Sequence, residues 1–136
     1  MANLHTILSH PYLTDRPNLQ MILITPPPID ERMLRATDSG NMPGFDGLRR
    51  TAKTTAQYAE AVRQVGRERG VPVCDVWSVM MAKAGWTAGD GENGQQLLGS
   101  EDAPQNAKLR GFFSDGMELR LIRSALELLK TKAPTC

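Results

Sequence analysis

Aspartate and glutamate stand three residues apart in 112-FFSDGMELR-120, as Asp115 and Glu118. On a helix that spacing sets two carboxylates on one face. Buried together, such a pair can split its pKa values and work as acid and base. Asp115 also stands where the cap of the following apolar stripe belongs, and a helix cap needs no catalysis. On residue physics alone, the cap is the favoured reading. Histidine, the commonest acid/base group near neutral pH, occurs only as His5 and His10. A nucleophile needs a base within hydrogen-bond reach, and no Gly-x-Ser-x-Gly elbow occurs anywhere in the chain. Both histidines therefore read as exposed or structural. Ser39, in 38-DSGN-41, does not follow a buried strand, and turn chemistry accounts for that block. The glycines of 89-GDGENG-94 lack the preceding strand and following helix of a nucleotide loop. They also fail the alternating carboxylates of a calcium loop. Asp30-Glu31 and Glu101-Asp102 are the remaining acidic pairs.

The elements that must position these groups follow from apolar periodicity. Leu4, Ile7 and Leu8 form a short helical stripe over residues 2–10, with Pro11 as its stop. The run 19-LQMILIT-25 has strand length and apolar residues on both pleat faces, which predicts a strand covered on both sides, as in a parallel sheet. Three prolines close it abruptly, since proline lacks the amide a ladder requires. Residues 30–47 read as a surface loop. Residues 48–69 carry Ala52, Thr55, Ala56, Ala59, Val62 and Val65/Gly66 on one helical face, with Tyr58 at its edge and Gly70 as the stop. A second buried strand, 71-VPVCD-75, follows at once, which makes a βαβ unit. Residues 76–86 are apolar at helical spacing, 87–106 read as an extended loop, and 117–130 as a last helix. The sum is an α/β layer architecture with two clear strands.

A chain of 136 residues fits one domain. Its 16 basic and 15 acidic side chains leave a net charge of +1, which gives no reason to expect nucleic acid or an anionic membrane as partner. The adjacent Arg49 and Arg50 read as a solvated helix start. Cys74 and Cys136 stand in unrelated settings without nearby histidines. No disulfide framework, zinc site or other cofactor is expected from them. The segment MANLHTILSHPYL is too polar for a signal peptide, and no window approaches a membrane span. The expected setting is soluble and cytoplasmic.

Taken in order, 2-ANLHTILSHP-11, 19-LQMILITPPPIDE-31, 55-TAQYAEAVRQVGRERGVPVCDVWSVM-80, Gly85-Trp86 and 112-FFSDG-116 resemble the SGNH (GDSL-type) hydrolases, in particular the isoamyl-acetate-hydrolysing esterase branch. The single motifs are weak and the ordered set is specific. The resemblance implies one partial, N-terminally truncated domain over residues 1–136, with a flavodoxin-like three-layer fold whose parallel sheet lacks its first strands. It also implies acyl transfer through a serine in a Gly-Asp-Ser block, with small esters as substrates and a glycine and an asparagine from later blocks completing the oxyanion hole. No serine, glycine or asparagine of this chain matches those three blocks. Asp115 matches the family aspartate of Asp-x-x-His, and Glu118 occupies the histidine position. Without nucleophile and base acting together, little triad catalysis is expected. The implied state is a lipase-like pseudoenzyme. The alternative is a non-enzymatic binding module, or a homo-oligomer joined through the exposed Leu19–Thr25 edge. A weaker third reading gives Asp115 and Glu118 new chemistry.

Overall fold

The computed structural model describes residues 2–16, 18–41, 48–87 and 96–114. Helices α1 (Ala2–Leu8) and α2 (Pro11–Thr14) open the chain, followed by β1 (Leu23–Ile24), α3 (Glu31–Asn41), α4 (Ala52–Arg69), β2 (Val73–Cys74), α5 (Val76–Lys83) and α6 (Ala107–Ser114). β1 and β2 pair in parallel, Leu23 opposite Val73 and Ile24 opposite Cys74. The expected parallel βαβ unit is therefore present, with two helices in its crossover. Among the described residues the sheet has two strands and the architecture is mixed α/β.

The long helix follows its sequence closely. Thr51 caps it, its hydroxyl accepting from the Thr54 amide at 3.1 Å. Gly70 closes it in the left-handed region at φ 64°, where a side chain would be strained. Ala52, Thr55, Ala59, Val65 and Gly66 are buried on the face the periodicity marked. Gly66 has a packing reason as well. A Cβ there would lie 2.2 Å from Val73 Cγ2 and 3.0 Å from the Val71 carbonyl, so the missing side chain lets α4 settle on β2.

Beyond β2, Cys74, Val76, Met80, Ala84, Leu109 and Phe112 form one buried cluster, with Leu98 packed against it. α5 and α6 meet through this cluster, which fixes the 97–106 segment between them. Burial raises the pKa of the Cys74 thiol, with the neighbouring Asp75 charge adding to the effect. No helix among the described residues is long and apolar enough to cross a membrane.

Three local expectations are corrected. Pro11 does not merely stop a helix: it sits in the first turn of α2, where its missing amide costs nothing. Residues 31–41 are helical rather than loop, because Asp30 caps α3 by accepting from the Met33 amide at 3.0 Å, and Glu31 sits favourably in the first turn. Residues 107–114, unassigned by the sequence, are helical too, since Asn106 accepts from the Leu109 amide at 2.9 Å in the same way. The 19–25 run yields a ladder of only two residues and is not covered on both sides. Leu19, Ile22 and Ile24 are 40%, 41% and 45% exposed, and among the described residues β1 has one strand neighbour, β2.

Candidate functional site

Parallel strands place their functional groups at their carboxyl ends, and both strands here end on polar residues. Thr25 follows β1 and Asp75 follows β2. The Thr25 hydroxyl donates to Asp75 Oδ1 at 3.1 Å and accepts from the Trp77 amide at 3.0 Å. Asp75 caps α5 by accepting from the Ser78 amide at 3.1 Å. Arg63, from the middle of α4, reaches both Asp75 oxygens through Nη1 at 3.1 and 3.0 Å and touches Ser78 Oγ at 3.2 Å. Its guanidinium lies 5.6 Å from the Trp77 ring centroid. Burial works against charge on Asp75, but the hydrogen bonds from Ser78, the Arg63 charge and the Thr25 hydroxyl outweigh it and lower the carboxyl pKa. A carboxylate held this way is a poor general base. Its work is to lock β1, β2, α4 and α5 at the end of the sheet where a ligand would sit.

A second buried carboxylate ties down the segment that leaves this end. Glu31 is 7% exposed; Oε1 accepts from the Ala52 amide at 2.7 Å and Oε2 from the Glu101 amide at 2.8 Å. Its own amide donates to the Gly99 carbonyl at 2.7 Å. One side chain therefore joins the starts of α3 and α4 to the 97–103 loop. It supplies the anion that the α4 N-terminus favours. Gly99 takes φ 90°, and a Cβ there would fall 1.9 Å from the Ile29 carbonyl oxygen, so only glycine lets the loop approach. Around this clip, Arg35 Nη2 pairs with Glu101 Oε2 at 2.7 Å, while Arg32 donates to the Glu101 carbonyl. The Arg35 hydrogen bond lowers the Glu101 pKa.

Between these two ties, 26-PPPI-29 floors a cleft of about 480 Å³ walled by residues 48–58, including Leu48, Arg49, Arg50, Thr55 and Tyr58. A smaller hollow of about 280 Å³ lies beside Met33 and Leu34 of α3. Pro27, Ile29 and Arg50 line both. Arg49 is engaged at one side by Asp38, whose carboxylate is 1% exposed and whose pKa this hydrogen bond lowers. Asp38 thus lies in α3, in the block expected to be a turn.

The sequence-derived candidates fall as follows. His10 caps α2, accepting from the Tyr12 amide at 3.2 Å. His5 accepts from Arg69 Nε at 3.1 Å through Nδ1 and meets Glu68 at 3.2 Å through Nε2. Both histidines hold local structure. Asp30 and Glu31 are a cap and a clip. Asp115, Glu118 and residues 89–94 lie outside the described residues. Among the described residues, no group of three His, Cys, Asp or Glu side chains could hold a metal ion. Asp75, Arg63 and Asp38 were missed by the sequence reading. Asp75 had a usable signal, standing directly after a buried strand and three residues before Ser78.

The chain is 40% identical over 86 residues to a GDSL esterase/lipase of Arabidopsis thaliana. The match covers 62% of this chain and 34% of that protein's length. No family model and no solved structure matches the chain. At this partial coverage, the similarity supports a GDSL hydrolase-like domain.

Proposed function

We propose that this chain is part of a flavodoxin-like GDSL/SGNH-type carboxylic ester hydrolase domain of the isoamyl-acetate-esterase-like branch, and that its 136 residues do not hydrolyse esters by themselves. The observation that carries the family reading is the 40% identity over 86 residues to a GDSL esterase/lipase. The parallel β1–β2 pair and the proline-floored cleft at its carboxyl end agree with that reading. Small esters are the substrate class of the whole enzyme on this view. The inactivity rests on residue types. None of the 136 residues forms a Gly-Asp-Ser block, and Glu118 stands where the family histidine belongs. A glutamate of ordinary pKa near ~4.3 is a much weaker base than imidazole near ~6.5. Asp115 then serves to cap the following segment.

Hydrolysis of short-chain p-nitrophenyl esters tests this directly. The purified chain is expected to match a boiled control, and Glu118→His is expected to restore nothing, because no acyl-accepting serine accompanies it. Turnover titratable by a serine-directed inhibitor would overturn the inactivity. Translating the genomic DNA before Met1 and in all frames after Gly116 tests whether the reading frame starts late and shifts after Gly116. A Gly-Asp-Ser block or an in-phase histidine there supports that, and the absence of both removes it and leaves a degenerate gene.

A second reading has its own observation. In the parallel ladder Leu23 and Thr25 donate their amides to the Pro72 and Cys74 carbonyls of the β2 strand and its flank, at 2.9 and 3.1 Å. Ile24, between them, turns its backbone groups to the edge that has no strand partner among the described residues. Uncharged open edges recruit partners, and a second copy pairing along residues 19–25 is the simplest one. Light scattering after size exclusion checks it; a folded monomer at high concentration removes this reading.

A further inference from the structure

The two hollows that share Pro27, Ile29 and Arg50 have a charge asymmetry that their packing does not use. Their shared floor is Pro27 and Ile29, extended by Leu48 on one side and by Met33 and Leu34 on the other. With volumes of about 480 and 280 Å³, the space falls in the range that small molecules occupy. Two guanidinium groups line the larger hollow. Arg49 is committed to Asp38. Arg50 makes no hydrogen bond or ion pair among the described residues, and its only recorded attraction is a longer-range one to Asp38. Among the described lining residues there is one carboxylate, Asp30, in the smaller hollow, and it is occupied in capping the Met33 amide.

From this arrangement we infer that the cleft binds small amphiphilic carboxylates. The head group meets Arg50 in the larger hollow, and the alkyl chain lies over Pro27 and Ile29. An arginine fork presents paired donors that suit a carboxylate. The apolar floor favours a chain over a bare anion. A cationic head is disfavoured by both arginines, and a neutral alcohol gains only the apolar contact. Calling this acid the product of an ester hydrolysis rests on the reading above. The preference itself does not, and it is measured without turnover.

The test is a titration of the isotope-labelled full chain with hexanoate, 1-hexanol and hexylammonium, following backbone amide NMR shifts. Hexanoate is expected to saturate the Ile29 and Arg50 signals at about one tenth the concentration 1-hexanol needs, the worth of one charge-assisted hydrogen bond. Hexylammonium is expected to bind more weakly than the alcohol. Arg50→Gln, at an exposed position, should erase the carboxylate preference and leave alcohol binding unchanged, while Arg50→Lys keeps part of it. Equal binding of all three probes, a preference that survives Arg50→Gln, or no saturable shift with any probe would each overturn the inference. Ester hydrolysis by the purified chain while hexanoate still binds would overturn only the inactivity proposed above and leave this inference standing.

Discussion

Glu31→Gln alters a buried side chain by replacing one oxygen with an amide nitrogen, and the geometry states what that does. In the native chain each Glu31 oxygen accepts one backbone amide, from Ala52 at 2.7 Å and Glu101 at 2.8 Å. Glutamine retains one acceptor and turns an N–H toward the other donor. Flipping the amide only chooses which bond is lost. A hydrogen bond to a charged group contributes about 1.5–3 kcal/mol, and a buried donor left without a partner costs about 1–3 kcal/mol. One bond weakened to its neutral form and one replaced by opposed donors together give a loss of about 2–4 kcal/mol. For a chain of this length, total stability is roughly 7–20 kcal/mol, so the loss is a large fraction. Urea unfolding followed by Trp77 and Trp86 fluorescence should show it as a midpoint lowered by about 1–2 M. Hydrogen exchange adds a positional readout. Protection of the Ala52 or Glu101 amide should fall, while the Thr54 amide, held by Thr51, keeps its own. A variant within about 0.5 kcal/mol of the parent, with both amides still protected, would refute the clip.

Asp75→Ala should cost about 2–3 kcal/mol by removing a cap and the Asp75 side of the Arg63 pairing, with Arg63 still held by Glu60 at 2.8 Å, whereas Asp75→Asn keeps the cap and should cost about 1 kcal/mol. Because the Asp75 carboxyl is held below its ordinary value, its stabilisation is full above the unfolded pKa and is lost as pH falls through the folded one. The advantage of the parent over Asp75→Asn should therefore shrink below about pH 4, which melting temperatures at stepped pH will show. Gly66→Ala should destabilise by about 1–3 kcal/mol through the Val73 clash, despite ~1 kcal/mol of better helix propensity. Gly70→Ala, with open space around it but φ 64°, should cost about 1, and Gly99→Ala more than either; urea midpoints rank the three.

The residues of α4 announced themselves. Small and apolar side chains recur at helical spacing from Ala52 to Gly66, and Gly70 is the one residue suited to a left-handed stop. The parallel pairing was equally legible, since apolar runs joined through a long helix leave little other geometry. Local rules also contained α3, but the capping signal of Asp30 was outweighed by the polar, glycine-bearing composition of 30–47. What composition hid was a set of contacts far apart in the chain.

Sequence by itself determined α4, the two-stranded parallel core of the α/β arrangement, the scarcity of histidine and the missing Gly-Asp-Ser block, because each is a property of residue type and short spacing. Tertiary structure alone decided that Glu31 closes a clip between Ala52 and Glu101, that Arg63 and Thr25 converge on Asp75, and that Arg50 borders an apolar cleft while Arg49 is held by Asp38. The physical reason is range. Periodicity reports which face of an element is apolar, but a hydrogen bond spanning 21, 50 or 70 residues leaves no local signature. Only packing chooses which polar group meets which.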